Sequence, residues 1–345
     1  MITKKIIVDQ SYYNDKVKRL GEVIRAGGLV AFPTETVYGL GGNALDKEAA
    51  KKIYMAKGRP SDNPLIVHVA DISEVSTYVK RILPLEKRLM EAFWPGPLTI
   101  VFPKKDIVPM ATSGGLRTIA IRCPAHEAAR ALIRAAGVPI AGPSANISTK
   151  PSPTTADAVL HDMDGRIEFV IDGGDSLIGL ESTVIAVENG KIIIYRPGGI
   201  TRDMLEAFAP TELDTAITAE QEHPKAPGMK YRHYAPKADL SIVEGTEEQV
   251  IGCINRLSAE AEQKGLKVGV IATNETKDRY AHADVFSIGS REEEETIAHH
   301  LYEVLRSFDD DRVDLIYSEA FYTPRMGQAI MNRLLKAAGH KIINA

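Results

Sequence analysis

Short apolar runs that alternate with amphipathic helical stretches restrict the fold of this sequence more than any other feature. In the last third of the chain, strand candidates begin at Leu240, Lys267, Val285 and Val313, and segments with helical spacing separate them. Alternating strands and helices indicate a parallel sheet with helices packed on its faces. We therefore expect residues 239–345 to form a parallel α/β domain.

The first part of the chain also alternates, but it contains a signal for antiparallel pairing. Residues 29–32 and 118–122 have the length and apolar character of buried strands. Asn189 and Gly190 separate two further apolar runs, and an Asn-Gly pair between such runs is typical of a β-hairpin. Residues 1–208 are therefore expected to form an α/β domain with a mixed sheet.

A polar segment separates these two parts. Residues 209–238 contain four prolines and have weak hydrophobic periodicity, which is typical of a linker. Within it, residues 230–234 combine two aromatic rings with three potential cations. A plain spacer does not require such a combination.

The composition is that of ordinary globular protein. With 345 residues, of which 44% are hydrophobic and 26% charged, the chain can build two domains, each with its own core. A net charge of -4 argues against nucleic-acid binding as the main activity, because dedicated nucleic-acid binders carry a basic excess. Cys123 and Cys253 lack CxxC spacing, so neither a zinc site nor a disulfide framework is expected.

The same features lead us to expect a cytoplasmic protein without membrane contact. Two isolated cysteines favour a reducing compartment. The first ten residues lack the apolar core and cleavage site of a signal peptide. No run of about 18 apolar residues, the length of a membrane-spanning helix, is present.

Residues 57–65 form the densest group of candidate functional residues. In one interpretation, Lys57 and Arg59 are cations at a helix C-terminus, which Gly58 and Pro60 end. In the other, they alternate on a non-helical segment and bind a polyphosphate, with Arg as a fork and Lys as a point charge. No GxxxxGK[ST], GxGxxG or HExxH motif is present, so other groups must hold any nucleotide.

Polar side chains also follow or end several other predicted strands. Ser144 and Asn146 come just after one strand, a common ligand position in open α/β sheets, although a Ser/Asn-rich turn would look the same. Arg122 ends an apolar strand, where it either reaches water or meets an acidic ligand. His68 lies within a strand, where a buried structural histidine is the more common case. The remaining candidates of this kind are Thr36, Ser152, Ser182 and Arg196.

Together, these motifs resemble those of the YrdC-like domain family. Lys57 and Arg59 with Ser144 and Asn146 reproduce its KxR…SxN signature. The strings TETVYGL, KGRPSDNPLIVH, FWPGPLT, GPSANIS and ESTVI occur in the family's order. One position differs, because Thr149 stands where the family often has Gly.

The linker string PGMKYRHYAP and the C-terminal domain extend the resemblance to the two-domain form of the threonylcarbamoyl-AMP synthase family. It implies a YrdC-like open twisted mixed sheet with helices over residues 1–208. It also implies a linker that closes over the active site at 209–238, and a Rossmann-like parallel α/β domain over 239–345.

The resemblance implies two sets of binding residues. Lys57 and Arg59 would be catalytic by offsetting phosphate charge. The expected ATP-binding residues are Lys57, Arg59, Asn63, Thr118, Ser144, Asn146, Ser152, Arg196, Tyr231, Arg232, His233 and Tyr234. The expected L-threonine-binding residues are Thr36, His68, Arg122 and Ser182, with Arg122 on the carboxylate.

The implied activity is that of a nucleotidyltransferase. It joins L-threonine, bicarbonate or CO2, and ATP into L-threonylcarbamoyladenylate with release of diphosphate, the first step of threonylcarbamoyladenosine modification of tRNA. Mg²⁺ is expected to accompany ATP, with no metal ligand named in the chain. A downstream threonylcarbamoyl-transfer machinery would receive the product, and direct tRNA binding is not required.

Two other functions fit part of the sequence. The basic residues Lys51, Lys52, Lys57 and Arg59 would suit an RNA-binding module, which the acidic net charge opposes. A carbamoyltransferase would use the same carbamoyl-adenylate chemistry with another acceptor. Dependence of diphosphate release on L-threonine separates the carbamoyltransferase from the first function. Salt-dependent tRNA affinity without ATP-dependent diphosphate release would favour the RNA-binding module.

Overall fold

The computed structural model describes residues 2–8, 15–214 and 234–345, which form two compact units. The first unit comprises Met1–Ser148, Ser152–Leu177 and Glu181–Tyr231. The second comprises Thr149–Pro151, Ile178–Leu180 and Arg232–Ala345.

The first unit contains eleven strands and seven α-helices among its described residues. The strands are β1 (Lys4–Ile7), β2 (Val30–Phe32), β3 (Gly39–Asn43), β4 (Ile66–His68), β5 (Leu98–Pro103), β6 (Thr118–Arg122), β7 (Ile140–Ala141), β8 (Phe169–Asp172), β9 (Thr183–Glu188), β10 (Lys191–Arg196) and β11 (Thr211–Leu213). The helices are α1 (Asp15–Arg25), α2 (Lys47–Lys57), α3 (Val75–Tyr78), α4 (Pro84–Phe93), α5 (Glu127–Ala136), α6 (Ala156–Met163) and α7 (Arg202–Glu206).

These strands form one mixed sheet in the order β1-β8-β2-β3-β7-β4-β6-β5-β9-β10-β11. Parallel pairs such as β4 with β6 lie beside antiparallel pairs such as β5 with β6. Strands β9 and β10 form the predicted hairpin, with Asn189 and Gly190 at φ 52° and 78° in its turn. Positive φ at both central residues is the reason that Asn-Gly suits such a turn. The prediction of a mixed sheet is therefore confirmed.

Helix α1 packs closely against α5 in one of the apolar clusters of this unit. A Cβ at Gly21 would lie 2.4 Å from the carbonyl carbon of Ala135, so only glycine permits this approach. The larger cluster includes Leu40, Ile53 and Ile121, which are fully buried. This packing holds the central strands whose ends carry the candidate site.

The second unit is an all-parallel sheet with helices, as the alternating pattern predicts. Its strands are β12 (Asp239–Glu244), β13 (Val268–Ala272), β14 (Asp284–Ser287), β15 (Leu315–Glu319) and β16 (Ile342–Asn344), and its helices are α8 (Glu247–Glu262), α9 (Glu294–Asp311) and α10 (Gly327–Ala337). The strand order is β14-β13-β15-β12-β16, with every pair parallel.

Local structure differs from the sequence-based expectation at three places. β3 lies in a glycine-rich stretch without a strand pattern, and a Cβ at Gly39 would come within 2.8 Å of the Phe32 ring. That ring occupies the space where side chains would otherwise stand. β11 lies inside the predicted linker and pairs with β10. Lys57 is the last residue of α2, which agrees with the helix C-terminus interpretation and contradicts the one that placed Lys57 on a non-helical segment.

Candidate active site

A buried guanidinium lies at the centre of the candidate site. The parallel register of β4 and β6 places His68 opposite Arg122, which is 4% exposed. Arg122 Nη1 donates to Thr36 Oγ1 at 2.8 Å, and its Nε donates to the Gly96 carbonyl at 3.2 Å. Its Nη2 lies 2.6 Å from Glu35 Oε1. The side chain is therefore fixed on several sides.

Glu35 is the counter-charge of this guanidinium. It is buried, and its Oε2 accepts from the Ala125 amide at 3.0 Å. Breaking a buried ion pair by removal of one partner costs about 3–5 kcal/mol, because the other charge is left uncompensated. Glu35 thus holds Arg122 in one orientation. A guanidinium fixed in this way is suited to bind the carboxylate of a ligand through paired hydrogen bonds.

His68 is a neutral member of the same group. Burial, and then the nearby charge of Arg122, lowers its pKa to about 3. Its Nδ1 is buried and has no hydrogen-bond partner within the described residues. Buried polar atoms are normally paired, so an unpaired ring nitrogen beside Arg122 indicates a place for a ligand group.

A second group surrounds the end of α2. Helix α2 ends at Lys57, its C-cap Gly58 has φ 61°, and the Lys57 side chain is buried. Lys57 Nζ donates to the carbonyls of Ser144 and Asn146 at 2.5 and 2.7 Å, and to Asn146 Oδ1 at 3.2 Å. Two backbone carbonyls and one side-chain amide oxygen thus fix the position of the ammonium group in the interior.

The loop after α2 adds a buried amide. Arg59 donates to the carbonyls of Asn63 and Pro64 at 3.3 and 3.1 Å. The guanidinium therefore stabilises the loop of residues 59–64 to which it belongs. Asn63 is 1% exposed, and neither its Nδ2 nor its Oδ1 has a partner within the described residues. An amide with both atoms unpaired is expected to bind a ligand that offers a donor and an acceptor.

Residues 142–146 connect the Arg122 and Lys57 groups. Gly142 lies against the His68 ring, since a Cβ there would be 3.2 Å from ring atoms. Ser144 forms an isolated β-bridge with Gly39. The carbonyls of Ser144 and Asn146 accept hydrogen bonds from the Lys57 ammonium group. One short segment therefore runs from the neutral histidine to the buried lysine.

A third group lies at the start of β9 and the end of β10. Arg196 donates to the carbonyl and the hydroxyl of Ser182 at 3.0 and 3.1 Å. The Ser182 hydroxyl also lies 2.7 Å from Thr99 Oγ1. Ser152, another expected ATP ligand, donates to Glu181 Oε1 at 2.6 Å.

Thr118, an expected ATP ligand, lies apart from these groups. Thr118 begins β6 and is four residues from Arg122, which corresponds to roughly 13 Å along a strand. It lines a cavity of about 330 Å³. Tyr234 belongs to the second unit, where it stacks on Tyr302 with 5.1 Å between ring centroids. The expected residues Tyr231, Arg232 and His233 lie outside the described residues.

Sequence reasoning missed the buried carboxylates Glu35 and Glu181, and the Thr99 hydroxyl. Each stands next to or within a motif that was noticed, namely TETVYGL, ESTVI and FWPGPLT. For Glu35 and Glu181, the signal in the sequence was a carboxylate among hydroxylic and apolar neighbours, where an exposed acidic residue is not expected. Its partner could not be inferred, because Glu35 and Arg122 are 87 positions apart.

The described residues contain no group of three or more His, Cys, Asp or Glu side chains that could hold a metal ion. The groups around Lys57 and Asn63 offer amide and carbonyl atoms, which fit Mg²⁺ only as a component of a metal–nucleotide substrate. Within the same residues, no helix is long and apolar enough to cross a membrane.

The fold and the site define an α/β protein in which one mixed sheet gathers cationic, hydroxyl and amide groups suited to a phosphate-bearing nucleotide and a small carboxylate. A family described as "Telomere recombination" matches residues 22–198, and one described as "Threonylcarbamoyl-AMP synthase, C-terminal domain" matches residues 200–339. The chain belongs to the threonylcarbamoyl-AMP synthase family, which confirms the resemblance of its motifs.

Individual relatives are similar over nearly the whole chain. Threonylcarbamoyl-AMP synthase of Bacillus subtilis is 48% identical over 98% of this chain and 97% of its own. The Pyrococcus abyssi enzyme is 47% identical over 95% of both chains. The crystal structure of P. abyssi Sua5 complexed with L-threonine has a TM-score of 0.92 at 44% identity, covering 100% of each chain.

Proposed function

We propose that this chain synthesises L-threonylcarbamoyladenylate and diphosphate from L-threonine, bicarbonate or CO2, and ATP. The product would serve the first step of threonylcarbamoyladenosine formation in tRNA, in the cytoplasm, and pass to a downstream transfer machinery. The observation that carries the proposal is the buried group of Arg122, Thr36 and His68, connected by residues 142–146 to the buried Lys57. Membership of the threonylcarbamoyl-AMP synthase family supports it.

L-threonine binds at the Arg122 group in this proposal. Arg122, oriented by Glu35, pairs with the α-carboxylate. His68, neutral because of its low pKa, exchanges a hydrogen bond through Nδ1 without adding charge. Thr36 and Ser182 supply hydroxyl groups that complete the polar lining.

ATP binds along the Lys57 group. The ammonium of Lys57 and the guanidinium of Arg59 offset charge on the phosphates, which is the usual basis of catalysis at phosphorus. The buried amide of Asn63 pairs with the nucleotide. The proposed ATP ligands are completed by Thr118, Ser144, Asn146, Ser152, Arg196, Tyr231, Arg232, His233 and Tyr234. Mg²⁺ enters with ATP as part of the substrate.

The reaction requires no protein nucleophile. The threonine amine adds to CO2 and loses a proton, giving a carbamate; with bicarbonate in place of CO2, that proton and the bicarbonate hydroxyl leave together as water. A carbamate oxygen then attacks the α-phosphorus, and the bond to the β-phosphate bridging oxygen breaks, releasing diphosphate. The site contributes by holding the two substrates in contact and by neutralising charge.

Diphosphate release with ATP, Mg²⁺ and bicarbonate, measured with and without L-threonine, tests the proposal. We expect release to require L-threonine, and a threonine-containing adenylate to accumulate. Equal release without threonine would favour a carbamoyltransferase with another acceptor. Salt-dependent tRNA binding with no diphosphate release would favour the RNA-binding function.

A further inference from the structure

The second unit contains a cavity of its own. It has a volume of about 510 Å³ and lies at the carboxyl ends of the adjacent strands β12 and β15. Glu244 and Gly245 contribute from the end of β12, and Glu319 and Ala320 from the end of β15. This size is within the range of about 300–1,000 Å³ that is typical of small-molecule sites.

The topology makes this position a crevice. From β12 the chain continues to β13, on one side in the sheet order, and from β15 it continues to β16, on the other. Because crossover connections between parallel strands are right-handed, these two connections lie on opposite faces of the sheet. Open α/β sheets bind ligands between two adjacent strands whose following connections lie on opposite faces of the sheet.

One wall carries a guanidinium that is held in place. Arg291 Nη2 lies 2.6 Å from Glu319 Oε2 and donates to the Ala320 carbonyl at 3.1 Å. Glu319 is buried and also accepts from Tyr280 and Thr276, so the carboxylate cannot easily move. The Arg291 side chain is still 36% exposed, and its Nε and Nη1 make no hydrogen bond to the described residues. These N–H groups are available to an anion from solution.

The cavity lining also carries acidic side chains. Glu244 borders the cavity and accepts from the Tyr322 hydroxyl at 2.5 Å, while Glu247 stands in the first turn of α8. Glutamates at a helix N-terminus occupy the position where a phosphate would otherwise bind. Glu319 is paired with Arg291, and Glu247 is paired with Arg279 at 3.0 Å, so Glu244 adds a negative charge that disfavours a nucleotide or polyphosphate.

We propose that this cavity binds a free α-amino acid, with the carboxylate on Arg291 and the ammonium group on Glu244. One held cation and one carboxylate in the same cavity match the two charges of a zwitterion. Val250 and Tyr280 offer an apolar wall for the side chain. The site lies wholly within the second unit, and the inference does not depend on the proposed catalytic function.

Equilibrium dialysis of the full chain with each proteinogenic L-amino acid, one at a time, tests this site. We expect at least one amino acid to occupy a site that Glu244→Gln and Arg291→Lys each weaken tenfold or more. Glu244→Gln leaves the Glu319–Arg291 pair intact, and Arg291→Lys keeps a cation beside Glu319, so folding is preserved in both. The exposed pair Arg256 and Glu260 on α8 provides the controls Arg256→Lys and Glu260→Gln, which should bind as the wild type does.

The stoichiometry separates this cavity from the Arg122 group. If the ligand is L-threonine and the Arg122 group binds it as proposed, the wild type should bind two equivalents, of which Glu244→Gln loses one and Arg122→Lys weakens the other. A single equivalent that Glu244→Gln removes and Arg122→Lys leaves unchanged would contradict the proposed function and support this inference. For any other amino acid, the wild type should bind one equivalent, which Arg122→Lys leaves unchanged. The inference is overturned if no amino acid binds with a Kd below about 1 mM in a manner sensitive to Glu244 and Arg291, or if ATP binding is the property that Arg291→Lys removes.

Discussion

At the residue scale, the candidate site depends on charges held inside the protein by fixed partners. Arg122 was predicted from its place at a strand end, but the Glu35 carboxylate that orients it was not. Lys57 was predicted as a phosphate ligand, and the structure gives it three oxygen partners in the interior. A sequence shows where charged residues stand along the chain. It does not show which distant residue neutralises them.

Replacement of His68 by Asn should reduce the loss of stability at acidic pH. With a folded-state pKa of about 3 and an ordinary value of 6.5, the ring is neutral when folded but takes up a proton in the unfolded chain below pH 6.5. The contribution of His68 to the free energy of unfolding is therefore complete above pH 6.5 and is lost as the pH falls toward 3. Each pH unit in this window should cost about 1.4 kcal/mol.

Urea titrations between pH 6 and 4 would measure this effect as the slope of the unfolding free energy against pH. The slope should be smaller in His68→Asn than in the wild type. His161→Asn, at an exposed histidine in α6, is the matched control and should keep the wild-type slope. Equal slopes for the wild type and His68→Asn would show that His68 is not held neutral.

At the scale of elements, periodicity predicted those parts whose pairing is local or repeated. The β9–β10 hairpin and the parallel second sheet follow directly from turn chemistry and alternation. β3 was not predicted, because its glycine-rich sequence has no strand pattern. Glycine is required there because the Phe32 ring of the neighbouring strand leaves no room for a side chain, and this contact cannot be read from the sequence. β11 has only three residues and lies in a proline-containing segment, so its pairing with β10 decides its conformation.

Replacement of Thr149 by Gly should stabilise the loop after residues 142–148. Thr149 has φ 82°, in the left-handed region that a β-branched residue rarely adopts. The strain of such a conformation is of order 1–3 kcal/mol, whereas glycine adds about 0.5–1 kcal/mol of entropy cost. The expected net gain is therefore about 1 kcal/mol.

Thermal unfolding would measure this gain as a higher melting temperature of Thr149→Gly. Ser148→Gly is the matched control, since Ser148 has no positive φ and should only be destabilised by glycine. If Thr149→Gly lowers the melting temperature as much as Ser148→Gly does, the strain at Thr149 is not real.

At the scale of the whole molecule, the sequence predicted a mixed-sheet part and a parallel-sheet part, and its motifs predicted the family. The assembly of the site depends on register between strands that are far apart in the chain, such as β4 beside β6. No local pattern specifies that His68 stands opposite Arg122, and this register brings two motifs that are far apart in the sequence next to each other. The predicted domain limits at 208 and 239 remain predictions.

The central claim is that one site holds two substrates through different side chains, and steady-state kinetics of Arg122→Lys test it most directly. Lysine keeps a cation beside Glu35 but loses the planar fork for the threonine carboxylate. We predict that the KM for L-threonine rises tenfold or more while the KM for ATP stays within twofold of the wild type. Arg202→Lys, at an exposed surface pair, should leave both constants unchanged. An equal rise in both constants, or a rise for ATP alone, would contradict the account.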